Sequence, residues 1–227
     1  KYDVPATFFT TGHTIDSFEE RAGEIHDRGY DLQHHGWDHI SPVDYDSREE
    51  EREDLVRGIE SIRDLTGEKP TGFRSSAWAL SEYSLELLEE LDFEWDSSLM
   101  AREFQPYWAP DGWEAPRDGV FKRGEPTDLV EIPPSWQRDD FPPLEFIWGG
   151  NWGFASEDAT FQRWRDQFDY MHENVDNGVY VLTMHPQVSG RSELITRHED
   201  LIQYMQSKDG VEFKTMEEVA DEFRKNN

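Results

Sequence analysis

Short, nearly uncharged runs alternate with longer amphipathic segments along almost the whole chain, and this alternation constrains the fold more than any other feature. An apolar run too short for a helix must be buried on both faces as a strand. The amphipathic segment after it must then cover it, which is the βα repeat of a parallel sheet. Residues 6–11 (ATFFTT) read as the first strand, with a helix over 18–28 opened by Ser17 and Glu20 at capping-box spacing. Residues 30–34 are a second strand. The helix that follows is opened by Ser47 with Glu50, buries Leu55, Ile59, Ile62 and Leu65, and is ended by Gly67 and Pro70. The charged run 49–54 reads as its solvated face, without a function. Further strands are expected at 72–74, 93–96, 129–132 and, most clearly, 179–184 (VYVLTM). Helices are expected at 81–91, 156–174, Ser192–Gln206 and 215–224, the last with Thr215 and Glu218 as a capping box. Residues at about 100–128 read as an irregular excursion carrying a hairpin, and 133–153 as a long aromatic loop between Trp136 and Trp152. With no linker in view, 1–227 reads as one α/β domain.

Composition narrows the partners. The 227 residues hold 50 Asp and Glu against 22 Lys and Arg, a net charge of -28. Phosphate neutralisation needs a basic face, so nucleic acid and anionic membrane surfaces are excluded as partners. An aromatic content of 14% argues for a packed core rather than an acidic disordered chain. Zero cysteines remove disulfides, thiolate metal sites and cysteine nucleophiles, so any metal must sit on His, Asp or Glu. Excess carboxylate with scarce Lys resembles proteins of salt-accumulating organisms, where high ionic strength screens self-repulsion. Without a leader or an apolar run of membrane-spanning length, the expected location is cytoplasmic, secretion being left open. A homo-oligomer is left open as well.

In parallel α/β folds the chemistry gathers where strands end. The strand at 30–34 runs into His34-His35-Gly36-Trp37-Asp38-His39, that at 72–74 ends in Arg74, and that at 179–184 ends in His185. His35 and His39, four apart, suit a shared divalent metal, while strand alternation turns His34 the other way. Gly36 lets the chain turn out of the strand. His185 suits a general acid, because imidazole titrates near neutrality. Arg74 suits the orientation of a carboxylate.

Taken in order, these motifs resemble the polysaccharide deacetylase family, also called carbohydrate esterase family 4 or the NodB homology domain. H-G-W-D-H resembles its metal-binding motif, G-F-R-S-S-A-W the motif whose Arg positions the catalytic base, and V-L-T-M-H-P the motif whose His protonates the leaving nitrogen. E-I-P-P-S-W-Q-R-D-D-F, W-D-S-S-L-M and M-H-P-Q-V-S-G-R resemble a subgroup of allantoinase-like, cyclic-imidase-like and peptidoglycan-deacetylase-like proteins. The resemblance implies a distorted (β/α) barrel and metal-assisted hydrolysis of a non-peptide C–N bond in a glycan or a small molecule. His35 and His39 would hold a divalent metal, first of all Zn²⁺. Arg74 and His185 would be catalytic, and Trp78, Trp136, Trp148 and Leu182 would bind substrate. The family's first acidic motif, which supplies a metal-binding Asp and the general base, would precede residue 6. The chain is therefore expected to be N-terminally incomplete, short of the barrel's first strand, with the third ligand upstream. An N-acetylated amino sugar, a cyclic ureide or imide, and a non-catalytic carbohydrate-binding role remain open alternatives.

Overall fold

The computed structural model describes residues 1–150 and 153–227, so Trp152 of the expected aromatic loop lies outside the described residues. In chain order the elements are β1 (Thr7–Thr10), α1 (Gly12–Ser17), α2 (Glu19–Asp27), β2 (Asp31–His34), α3 (Arg48–Thr66), β3 (Gly72–Phe73), α4 (Ser84–Glu90), β4 (Trp95–Asp96), β5 (Tyr107–Asp111) and β6 (Glu125–Glu131). There follow α5 (Phe141–Leu144), α6 (Glu157–Asn174), α7 (Pro186–Ser189), α8 (Ser192–Gln206) and α9 (Met216–Asn226). They divide into two compact units, one of residues 5–99, 106–132 and 214–227, the other of residues 1–4, 100–105 and 133–213.

The first unit is the α/β class expected from the alternation. Its sheet runs β1-β2-β3-β4-β6-β5. Neighbours from β1 to β6 are parallel, and β5 lies antiparallel to β6 at the edge. The excursion is thus partly ordered: β5 and β6 are its hairpin arms, joined further out by a bridge from Glu114 to Lys122. Leu55, Ile59, Phe73, Leu87, Leu88, Phe93 and Leu129 form one core, and Ile15, Ala22 and Ile62 a smaller one. Leu87 and Leu88 are wholly inaccessible. Truncating either to Ala would cost about 2–5 kcal/mol, because the cavity adds to the lost burial.

Helix ends follow the expected chemistry in most places. Ser47 caps α3 through the Glu50 amide, and Gly67 closes it at φ +82°, a left-handed angle suited to glycine. Thr215 and Glu218 form the reciprocal capping box of α9. Two starts differ. Ser17 ends α1, whose cap is Thr11, because the chain breaks at Phe18 into two short helices. Helix α4 begins only at Ser84, since Ser81 and Ser84 turn their hydroxyls to the buried Glu51 at 2.5 Å each. Glu51 therefore belongs to the interior (2% exposed), which corrects the reading of 49–54 as a purely solvated face.

The second unit packs α6, α7 and α8 around Phe104, Leu144, Phe161, Trp164, Phe168, Val188, Leu194, Leu201 and Met205. Residues 179–184, the clearest strand by composition, form no regular strand among the described residues. A single parallel bridge joins Thr183 to Asp139. The physical reason is local. The Val179 amide donates to the Phe104 carbonyl, the Arg138 guanidinium donates to the Val181 carbonyl at 3.2 Å, and the Thr183 amide donates to the Arg138 carbonyl. The segment is extended and apolar, as composition demands, but side-chain and single backbone bonds satisfy it in place of a ladder. Among the described residues no helix is long and apolar enough to cross a membrane.

Candidate active site

Strand β2 delivers three histidine-motif side chains with three different fates. His34 is fully buried. Its Nδ1 accepts from the Gly36 amide at 3.1 Å, so Nε2 carries the hydrogen and donates to the Leu55 carbonyl at 2.9 Å. Burial pushes its pKa down to about 4, so it is a satisfied neutral core group, turned away as alternation predicts. Gly58 makes room for it, since a Cβ there would lie 2.3 Å from Nε2.

His35 is half-buried, with its ring enclosed by protein. Nδ1 lies 2.6 Å from the Arg74 carbonyl. A carbonyl only accepts, so Nδ1 holds the hydrogen and Nε2 keeps a free lone pair. Desolvation pushes the ring's pKa down to about 3, outweighing the opposite pull of that carbonyl, and this keeps the lone pair available. His39, exposed, brings its ring centroid to 5.0 Å from that of His35. Gly36, at φ +77°, makes the turn between them. A carboxylate that sequence reasoning passed over holds this turn: Asp54 of α3 accepts from the Trp37 and Asp38 amides at 2.9 Å each.

Arg74, at the end of β3, is 6% exposed. Its Nε donates to the Ser97 carbonyl (3.2 Å), and its Nη2 donates to Ser97 Oγ (2.7 Å) and approaches Met216 Sδ (3.6 Å). The guanidinium lies 4.3 Å from the Phe9 ring centre. After it the backbone turns through Ala77 and Trp78, both at positive φ (56° and 50°), a strained pair of the kind that clusters at functional sites. Trp78 is half-buried. The first unit thus brings His35, His39 and Arg74 together.

In the second unit His185 follows the extended segment 179–184. Its Nδ1 lies 2.7 Å from Asp140 Oδ1, and its amide donates to the same carboxylate at 3.0 and 3.1 Å. Ser189 Oγ also donates to Asp140 Oδ2. Asp140 is wholly buried, and Asp139 is held by the Phe141 amide at 2.7 Å. The fully buried Arg138 fixes this turn by donating to the carbonyls of Val181 and Glu103 and packing on Phe104 and Tyr180. Of the expected substrate residues, Leu182 packs partly against the unit's core, Trp136 is 42% exposed and Trp148 is 91% exposed. Sequence reasoning missed Asp140. The available signal was an adjacent acid pair in a loop otherwise dominated by aromatics and prolines.

Asp139, Asp140 and His185 place ligand-type atoms within 4.8 Å of one another. Yet Asp140 already accepts from two backbone or hydroxyl donors and from the imidazole, which is the geometry of a proton-handling His–carboxylate pair. His35 Nε2 has the donor character a divalent ion takes, a neutral imidazole whose Nδ1 proton is fixed by a carbonyl, and the His39 ring lies beside it.

A sequence model of the family described as polysaccharide deacetylase matches residues 1–95. The chain is 38% identical over 239 residues to the peptidoglycan deacetylase of Helicobacter pylori, covering all of this chain and 81% of that one. It is 28% identical to the peptidoglycan deacetylase-like protein FGM2 of Gibberella zeae, over 96% and 70% of the two chains. Among solved structures, one described as a polysaccharide deacetylase from Mycobacterium smegmatis superimposes with a TM-score of 0.85 at 30% identity, over 99% of this chain and 73% of that one. The Puue allantoinase shares the fold, with a TM-score of 0.78 at 22% identity over 97% and 67%. With its ordered motifs, its parallel sheet and a relative 38% identical along the whole of it, the chain belongs to the polysaccharide deacetylase family and is a hydrolase of non-peptide carbon–nitrogen bonds.

Proposed function

We propose that the protein removes the acetyl group from an N-acetylated amino sugar of a glycan, with peptidoglycan as the first substrate to test. Two histidines whose Nδ1 atoms face opposite partners carry this reading: a carbonyl for His35 and a carboxylate for His185. The first arrangement presents a neutral lone pair, the second steadies a positive charge. His35 and His39 would hold a divalent ion, Zn²⁺ first, which when bound polarises an amide carbonyl and acidifies water. Asp54 keeps their loop in its turn, and Arg74 would orient the general base. His185 would protonate the departing amine from Nε2, while Asp140 beneath Nδ1 holds the ring in place and stabilises its charged form. Trp78, Trp136, Trp148 and Leu182 would contact substrate, the indoles by stacking on sugar faces.

The chain would work as one deacetylase domain in the cytoplasm. Its charge of -28 reads as adaptation to concentrated salt, so its Tm should rise with KCl. Acetate release from peptidoglycan fragments and chitooligosaccharides, set against ring opening of allantoin and cyclic imides, tests the substrate. Turnover of the glycans supports the reading. Turnover of the cyclic amides alone, or of neither class, refutes it.

A further inference from the structure

Beside Arg74 lies a group that the reading above does not use. Asp96 and Glu131 are register partners on the adjacent parallel strands β4 and β6, and neither has any accessible surface. One oxygen of each is satisfied. Ser98 Oγ donates to Asp96 Oδ1 at 2.7 Å, and the Ser98 and Leu99 amides donate to Glu131 Oε1 at 3.0 Å each. The other two, Asp96 Oδ2 and Glu131 Oε2, are buried and meet no donor. Two orphaned acceptors on neighbouring ladder positions cost heavily unless a proton lies between them.

Charge balance requires the same proton. Arg74 is the cation facing the pair from β3, and its field favours an ionised Asp96. Two carboxylates against one guanidinium would leave an uncompensated negative charge in the interior, whereas one carboxylate and one carboxylic acid leave none. Elsewhere around the pair, β5 sets Tyr107 opposite Glu131, and α9 commits Arg224 to Glu94 at 2.5 Å, two residues before Asp96. Burial pushes both carboxyls up, Glu131 further because Asp96 lies beside it.

We propose that Asp96 and Glu131 share one proton and together act as the positioning pair for Arg74. The linkage is direct. Glu131 clamps the amides of Ser98 and Leu99, and Asp96 holds the Ser98 hydroxyl, which in turn accepts from the Ser75 amide at 2.9 Å. Ser97, inside that clamp, gives Arg74 its carbonyl and its hydroxyl, and passes the hydroxyl's own hydrogen to the Ile132 carbonyl at 2.7 Å. Removing the shared proton would set two anions side by side in the ladder and loosen the turn that aims the guanidinium. This role for Arg74 rests on the deacetylase reading; the shared proton does not.

Infrared spectroscopy of the whole chain tests the proton without any variant. Above pH 7 ordinary carboxyls are ionised, so a surviving protonated-carboxyl C=O band is expected, and it should vanish in both Glu131→Gln and Asp96→Asn. No such band in the wild type, or a band untouched by both substitutions, overturns the proposal. Linkage gives a second readout. The native chain keeps a proton that the unfolded chain releases above its ordinary carboxyl pKa, so wild-type stability falls as pH rises. Glu131→Gln, whose amide replaces that proton as donor, should lack this fall and gain about 3–5 °C in Tm relative to wild type per pH unit between pH 7 and pH 9. For positioning, Glu131→Gln should keep kcat within about threefold, while Glu131→Ala should lose about tenfold or more in kcat with KM little changed. Equal kcat in all three chains would overturn the positioning role. A band with no glycan turnover would refute the deacetylase reading alone, and turnover without a band would refute this proposal alone.

Discussion

His35 and His185 both follow an extended segment and both are partly screened from water, yet their Nδ1 atoms face different partners. Their difference lies in one partner atom. The Arg74 carbonyl at His35 Nδ1 accepts a hydrogen but adds no full charge, and in an enclosed setting the ring is held neutral, pushed down to about 3. The Asp140 carboxylate at His185 Nδ1 supplies a full negative charge, which suits a ring that must become cationic in turn. In the function proposed above, the same residue type would serve as a metal ligand or as an acid according to what stands behind it.

The comparison can be broken most severely at the first histidine. His35→Ala should reduce bound divalent metal, measured on the purified chain by elemental analysis, from near one equivalent to a trace. Deacetylation should then drop to background. His39→Ala should do the same. Retention of a full equivalent of metal in both variants would remove the proposed ligand pair. His185→Gln comes next, lowering kcat by about 10²–10⁴-fold, the usual worth of a general acid, with metal content unchanged. If His185→Gln also emptied the metal, the division of labour would be wrong.

Asp140→Asn sharpens the contrast at smaller scale. It keeps an acceptor for the His185 amide but removes the charge beneath Nδ1. Hydrogen bonds to a charged group are worth about 1.5–3 kcal/mol, so kcat should fall roughly tenfold to hundredfold, with metal again unaffected. Activity equal to the wild type would show that His185 does not develop charge.

Much of this was legible in the sequence, and the limits are instructive. Periodicity located β1, β2, α3, α6, α8 and α9, because each must bury a stripe of its own residues regardless of neighbours. The three strand-end motifs were legible for the same reason, being local. Residues 179–184 were overread, since composition reports burial and extension but not whether a partner strand is present. Asp54, Asp140, Asp96 and Glu131 were illegible as a group. For Asp54, Glu131 and Asp140 the amides and hydroxyls that face them lie 16 to 49 residues away in the chain, Asp96 takes its meaning from Glu131 on the next strand, and an acid in an acidic protein carries no mark of being buried. Only Asp140 stood out at all, as half of an acid pair.

Asp54 tests the comparison where the effect should be smallest. It touches neither histidine ring. Through the Trp37 and Asp38 amides it fixes the turn that carries His39 back toward His35, so it acts on the geometry of one site and has no counterpart at the other. Asp54→Asn keeps one acceptor oxygen and loses the second, leaving an amide hydrogen bond unmade at the edge of the loop. Supporting groups of this kind are worth about 10–100-fold in metal affinity, and the surviving acceptor places Asn near tenfold. At saturating metal, kcat and its dependence on His185 should be those of the wild type. A fall in kcat that added metal does not restore would mean that this loop shapes the reaction as well as the ligands, and the separation drawn between the two histidines would have to be redrawn.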